Sequence, residues 1–213
     1  ANGKLLREQV FENIWIQPAA GDAGGAVGAA LAAYHIMLNK PRKLTEGIDS
    51  MKGSYLGPEY SDIDIVESLA RLGAVFDTLT EKEIIEQTAL ALADGKAVGW
   101  MNGRMEFGPR ALGGRSIIAD PRSPKMQKLL NLKVKYRESF RPFAPSVLCE
   151  DVSDWFGMNT DSPYMLLVAD VVKEKRRQMT KMEKALFGIE KLNVPRSVIP
   201  AVTHVDYSAR VQT

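Results

Sequence analysis

Two short apolar stretches, Val98 to Met101 and Ser116 to Ala119, bracket Gly103-Arg104-Met-Glu106-Phe-Gly108-Pro-Arg110-Ala-Leu-Gly113-Gly-Arg115. A segment with four glycines, three arginines, one acid and a proline can be neither a helix interior nor a central strand, so it must be a loop carried by its flanks. Arginine suits paired hydrogen bonds to phosphate, carboxylate or carbamoyl oxygens. Glycines keep bulk away and leave backbone N–H groups for an anion. Glu106 can hold an arginine in orientation or accept from an amide nitrogen. Gly103, Arg104, Glu106, Gly108, Arg110 and Arg115 are therefore candidate site residues.

Charge places the same emphasis. The chain carries only +2, yet Met101 to Pro145 holds ten Lys and Arg against three acids, a local charge of +7. A concentrated basic segment in a near-neutral protein is built to meet an anion. Nucleic acid is one such anion, although few aromatics are interleaved as stacking platforms. A solvated basic face on a non-catalytic domain is another reading these residues leave open. The 45% apolar and 25% charged content belongs to an ordinary globular chain. No apolar run is long enough for a membrane helix, and the first residues lack the apolar core of a signal peptide. Cys149 is alone, so no internal disulfide forms, and a cytoplasmic location is expected. Its neighbours Glu150 and Asp151 disfavour the thiolate, which makes it structural.

Along the chain, Glu12 to Gln17 reads as a strand, Pro18 to Gly25 as a turn, and Ala26 to Asn39 as an alanine-rich helix. Lys40 to Tyr55 is a linker. Ser61 caps a helix to Leu72, and Ala74 to Leu79 reads as a strand. Thr80, with Glu83 at the capping-box position and Gly95 beyond the end, frames a helix to Ala93. Beyond Lys96 short strands dominate: Val98 to Met101, Ser116 to Ala119, Ser146 to Cys149 and Tyr164 to Val171. Ser123 caps a helix over Pro124 to Val134, and Lys173 to Lys191 reads as a charged surface helix. This order predicts an α/β or mixed α+β fold.

Three further motifs carry chemistry. Gln17-Pro-Ala-Ala-Gly-Asp22-Ala-Gly-Gly is a strand, a glycine turn and a helix start, where backbone donors can meet phosphate and Asp22 a metal ion or ribose hydroxyl. It is not a Walker loop, since no Gly-Lys-Ser/Thr follows. In Lys133-Val-Lys135-Tyr-Arg137-Glu-Ser-Phe-Arg141-Pro-Phe, an extended chain would place Lys133, Lys135 and Arg137 on one face. At the end, His204, Asp206, Ser208, Arg210 and Gln212 alternate, which predicts one polar face along an extended strand. A nucleophilic Ser-His-Asp relay is disfavoured, because residues strung along one strand cannot easily form it.

Taken together, these stretches resemble the O-carbamoyltransferases of antibiotic tailoring and of the NodU/NolO-type nodulation proteins. The resemblance rests on Tyr55-Leu-Gly-Pro-Glu-Tyr-Ser61, Gly103 to Gly113, Ser116-Ile-Ile-Ala-Asp-Pro-Arg122, Lys133 to Glu138, Arg141-Pro-Phe-Ala-Pro145, Ala201 to Asp206 and Ser208 to Thr213. It implies that residues 1–43 are the tail of a Kae1-like domain of the actin/sugar-kinase type, contributing a strand, a turn and a helix. Residues 44–213 would be a YrdC/Sua5-like twisted sheet with helices, and the chain a piece of a longer enzyme. There, carbamoyl phosphate and ATP with Mg2+ would give carbamoyl adenylate. The carbamoyl group would then pass to a hydroxyl of a small acceptor of the sugar, aminoglycoside or lipo-oligosaccharide class.

The resemblance also implies roles. Arg104, Glu106, Arg110, Lys135, Arg137 and Ser208 would be catalytic; Gly103, Gly108, Arg115, Arg141, His204 and Arg210 would bind substrate or nucleotide. Asp22 would be a ligand to Fe2+, with histidine partners expected upstream of it. Lys135-Tyr-Arg137 matches the Lys-x-Arg pair of YrdC-like domains, and Ser208-Ala-Arg210 partly matches their Ser-x-Asn. Gly114 stands where relatives commonly have Asn, and Tyr207 where they commonly have Gly.

Overall fold

The structure is a computed structural model and describes residues 2–43, 47 and 49–213. In chain order its elements are α1 (Asn2–Glu8), α2 (Asp22–Ala32, prolonged by a π turn over Ala33–Met37), α3 (Asp62–Arg71), α4 (Glu81–Ala93), β1 (Ala97–Met101), β2 (Arg115–Ala119), α5 (Met126–Lys133), α6 (Val152–Trp155), β3 (Leu167–Asp170), α7 (Lys181–Ala185), α8 (Gly188–Leu192) and β4 (Ser208–Val211). β1 pairs with β2 and β3 with β4, so the fold is mixed α/β with two small sheets among the described residues. The chain forms two compact units that interleave in sequence. One holds Ala1–Ile14, Thr88–Val98 and Ile118–Thr213; the other holds Trp15–Gln87 and Gly99–Ile117.

Helix ends follow local chemistry closely. Ser61 accepts from the Asp64 N–H at 3.2 Å while the Asp64 carboxylate accepts from the Ser61 N–H at 3.2 Å, a full capping box for α3. Thr80 and Glu83 do the same for α4. Gly73 and Gly95, with φ of 67° and 75°, end these helices in the left-handed region. Behind them the Ala74 and Lys96 N–H groups return to the Leu69 and Ala91 carbonyls, satisfying acceptors that the last turn would otherwise orphan.

Strands depend on partners, and there the structure departs from local reading. Among the described residues neither Glu12–Gln17 nor Ala74–Leu79 joins a ladder, so neither is a strand. Ser146–Cys149 reduces to a single bridge, Ser146 to Gln212, before Cys149 opens a 3-10 turn. The ladder expected over Tyr164–Val171 is confined to Leu167–Asp170. Residue 125, not Ser123, caps α5, with the Met126 N–H bonded to the Ser123 backbone carbonyl. The expected helix over Lys173–Lys191 is broken into a 3-10 turn, α7 and α8, because Thr180 with Glu183 starts a new capping box and Gly188 has φ 59°. Residues 2–8 form α1, which polar composition alone does not announce.

The first unit's core is organised by the β3–β4 ladder. Its register pairs Leu167 with Val211, Val168 with Arg210, Ala169 with Ala209 and Asp170 with Ser208. Because side chains alternate across a strand, Ala169, Ala209 and Val211 turn inward with Val171, Phe156, Val152, Ile199 and Val202. Val168 and Arg210 turn to the opposite face. A second cluster joins α5 through Met126 and Leu130 to Ala201, and Phe143 packs against both clusters. α1 lies along β3: the Asn2 amide donates to the Leu166 carbonyl at 3.1 Å, and Arg7 approaches Asp170 at 3.5 Å. Gly3 is buried between them, where a Cβ would run into the Val168 carbonyl oxygen. No helix among the described residues is long and apolar enough to cross a membrane.

Gly3→Ala should therefore push α1 off β3 and cost about 1–3 kcal/mol, the usual range for overpacking. Urea denaturation at pH 7 measures it; wild-type stability would show that α1 does not brace the ladder.

Candidate functional site

The arginine–glycine loop lies in the second unit and is assembled around one buried carboxylate. Glu106 is 5% exposed, and its Oε1 accepts from the Leu112 N–H at 2.6 Å and the Gly114 N–H at 2.7 Å. Its Oε2 accepts from Arg115 Nε at 3.1 Å. Arg115 Nη2 then reaches the carbonyls of Glu106 and Gly108, at 3.2 and 2.6 Å. Burial alone would push the Glu106 carboxyl up, but the Leu112 and Gly114 N–H groups and Arg115 outweigh it and hold the group below its ordinary range. Arg104 staples the loop to the 55–61 segment, donating to the Gly57 carbonyl and to Glu59, each at 2.8 Å. Arg104 and Arg115 thus direct donors at the protein itself, while Arg110 is exposed.

Glycine is required at particular points of this loop. Gly103 and Gly108 have φ of 64° and 102°, and a Cβ on Gly108 would collide with the Ala19 side chain. Gly114 is roofed by the Tyr55 ring and the Arg104 carbonyl, each 3.0 Å from where a Cβ would sit. The Tyr55 hydroxyl donates to the Leu112 carbonyl at 3.1 Å, and burial, reinforced by the Glu106 charge, pushes its phenol up. Tyr55 belongs to the family-matching string yet has no place among the sequence candidates; its chemistry is packing against glycine, which spacing does not reveal.

The first unit contains a cavity of about 250 Å3 lined by Arg141, Pro142, Phe143, Ala144, Val168, His204 and Arg210. Three sequence candidates, Arg141, His204 and Arg210, converge on it. The pleat of β4 delivers Arg210 there opposite Val168, and the Arg-Pro-Phe turn delivers Arg141. That turn is tied down by Asn131, which is fully buried on α5 and donates to the Ser139 and Arg141 carbonyls at 3.1 and 2.7 Å. Arg137 Nε donates to the Asn131 side chain at 2.6 Å, and the Arg137 guanidinium lies 4.9 Å from the Phe143 ring centroid. Asn131 is absent from the sequence candidates, and nothing local sets it apart from Gln127 one turn earlier on the same helix.

Two sequence expectations are corrected here. Lys133, Lys135 and Arg137 do not form a row on an extended chain. Lys133 ends α5, the Lys135 N–H returns to the Leu130 carbonyl, and Tyr136 turns the backbone into the left-handed region at φ 48°. Residues 204–212 are likewise not one extended strand. His204 to Tyr207 form a tight turn, with the Tyr207 N–H bonded to the His204 carbonyl and the His204 N–H to the Ser208 carbonyl.

That turn gathers His204, Asp206 and Ser208. Ser208 Oγ donates to Asp206 Oδ1 at 2.7 Å and lies 3.3 Å from His204 Nδ1. The Ser208 bond, above all, holds the Asp206 carboxyl below its ordinary range. Burial pushes His204 down, with Arg210 adding to this and Asp206 opposing it, so the imidazole is neutral at pH 7. The serine is central and gives its proton to the acid; a nucleophilic relay needs the histidine central, so this is not one. Tyr207 has φ 66°, a conformation glycine adopts without strain. The Arg176 guanidinium lies 5.1 Å from the Tyr207 ring centroid and helps offset that strain.

Asp22, at the exposed start of α2, stands apart from any metal-binding set: among the described residues no group of three or more His, Cys, Asp or Glu could hold an ion.

Comparison with known proteins follows the same residues. Residues 89–213 match the family described as Carbamoyltransferase C-terminus, and residues 1–31 match Carbamoyltransferase N-terminus. The chain is 58% identical over 215 residues to Uncharacterized protein sll1178 of Synechocystis sp., covering all of this chain and 35% of that one. It is 39% identical over 217 residues to Nodulation protein NolNO of Sinorhizobium fredii, covering all of this chain and 28% of that protein. It is 38% identical over 214 residues to Nodulation protein NolO of Bradyrhizobium diazoefficiens, again across all of this chain and 35% of the relative. The chain spans about a third of the length of these relatives.

Glu106→Gln leaves an amide N–H facing Arg115 or the loop N–H groups, and should cost about 2–3 kcal/mol at pH 7, read by urea denaturation. The folded carboxyl lies below its ordinary value of 4.5, so its contribution is complete above that pH and is lost as pH falls through the lower, folded value. The stability gap between wild type and Glu106→Gln should accordingly narrow on acidification below 4.5. A gap that widened would reverse the assignment.

Proposed function

Because the chain belongs to the carbamoyltransferase family, we propose that it carries the ATP-dependent activation of a carbamoyl group in an O-carbamoyltransferase. Carbamoyl phosphate, ATP and one water would yield carbamoyl adenylate, pyrophosphate and phosphate. The carbamoyl carbon would then be attacked by a hydroxyl of a small acceptor, with AMP leaving. The observation that carries this reading is the convergence of Arg141, Arg210 and neutral His204 on one cavity within the stretch matching the family's C-terminal region. The reading extends to a YrdC-like fold for residues 44–213 and a Kae1-like remnant over residues 1–43, with transfer to the acceptor assigned outside 44–213. Mg2+ would arrive with ATP.

The chemistry asks for what the cavity offers. Carbamoyl groups are poor electrophiles, and adenylation supplies a better leaving group. Charge in that step develops on phosphate oxygens, where prepositioned guanidinium groups stabilise it without reorganising. Arg141 and Arg210 supply such groups at the wall. Arg137, held by Asn131 and stacked on the wall residue Phe143, would supply a third. The loop around Glu106 serves in this reading as a rigid mount for the exposed Arg110.

ATP–pyrophosphate exchange, with and without carbamoyl phosphate, tests the proposal. Exchange should require carbamoyl phosphate, and Arg137→Ala should lower it about 10²-fold, the scale for one prepositioned donor. Arg137→Lys should recover only part, since an ammonium cannot reproduce planar paired contacts. Exchange without carbamoyl phosphate, or untouched in both variants, would overturn it.

A further inference from the structure

The hydrogen at each atom of the His204 turn can be assigned by elimination. Asp206 is ionised and can only accept, and Ser208 donates to it over the shorter contact, 2.7 Å against 3.3 Å. Ser208 has one hydrogen, so toward His204 it can only accept, and Nδ1 must carry the imidazole proton. With Nδ1 turned to Ser208, the only other polar atom His204 has for the cavity it lines is Nε2, an unprotonated acceptor. Three charged groups surround the ring: Asp206 at the turn, and Arg210 and Arg141 on the cavity wall. The cavity therefore combines cationic donors with one neutral acceptor. An oxygen of a phosphate dianion has no proton for Nε2 and is better met by the arginines. An amide N–H is met by Nε2 and by neither arginine.

Building on the carbamoyl-activation reading above, we infer that His204 is the specificity-determining residue that selects a carbamoyl group over an acyl group of the same size. Its Nε2 accepts from the carbamoyl NH2 while Arg141 and Arg210 hold the oxygens. Acetyl phosphate is the natural competitor in chemistry and shape. Its methyl group replaces the NH2 and leaves Nε2 without a donor from the ligand. Ser208 and Asp206 act through His204 as positioning residues, since they fix which ring nitrogen is protonated.

The test is equilibrium binding of carbamoyl phosphate, acetyl phosphate and inorganic phosphate to the 213-residue chain at pH 7.5. Wild type should prefer carbamoyl phosphate to acetyl phosphate by about 10- to 100-fold, the range for one buried hydrogen bond left unmade. His204→Leu should bring the ratio close to one. His204→Gln, which restores a side-chain acceptor, should recover part of it, and Ser208→Ala should lower it by freeing Nδ1. Equal binding of the two acyl phosphates by wild type, or an undiminished ratio in His204→Leu, overturns the inference and leaves the anion-site reading standing. Failure of wild type to bind any of the three overturns that reading as well. Should His204→Leu not fold, the wild-type ratio and His204→Gln still decide the matter.

Discussion

The pleat of the β3–β4 ladder separates the apolar core of the first unit from its polar cavity. Alternate side chains on two short strands send Ala169, Ala209 and Val211 into the core, while Val168 and Arg210 form a wall of the cavity. One residue of slippage would exchange these faces, burying a guanidinium among Phe156, Ile199 and Val202 at a cost no single ion pair offsets. The small side chains of Ala169 and Ala209 suit this arrangement, because they let Phe156 and Val171 pack close to the sheet. α1 braces the far side of the same ladder, which is why Gly3 can have no side chain. Val168 is therefore held at its carbonyl by α1 while its side chain shapes the cavity.

Charge is distributed by a second constraint. A buried carboxylate must be satisfied by donors, and Glu106 meets it with two backbone N–H groups and Arg115. Much of the basic character of the 103–115 loop is thus internal, binding the loop to itself and to Gly57 and Glu59. The cavity of the first unit is organised differently. There Arg141 and Arg210 share a wall with His204, whose pKa burial pushes down. That combination suits the proposed carbamoyl substrate.

Legibility from sequence followed the range of the interactions involved. The caps at Ser61 and Thr80 and the stop at Gly95 were legible, since each is closed within a few residues. The 103–115 segment was legible as a loop because its composition admits nothing else. Arg141, His204 and Arg210 were legible as candidates by residue type, but their meeting was not, since two separate turns and a strand register bring them together. The stretches 12–17 and 74–79 misled because an apolar stretch becomes a strand only when another segment supplies hydrogen bonds, and no local pattern states whether one will. The basic row at 133–137 failed for a related reason: Asn131 pulls the chain into a turn through bonds to Arg137, Ser139 and Arg141.

By itself the sequence determined the family, the capped starts of α3 and α4, and the basic, glycine-rich character of the 103–115 loop. Those properties are composed of residue identity and of contacts spanning a turn or less. Only the tertiary structure decided which arginines face the protein and which face a cavity, and that Tyr207 takes a left-handed turn gathering His204, Asp206 and Ser208. It also decided which donors and acceptors surround the imidazole, because which groups come within hydrogen-bond distance is something no spacing in sequence encodes.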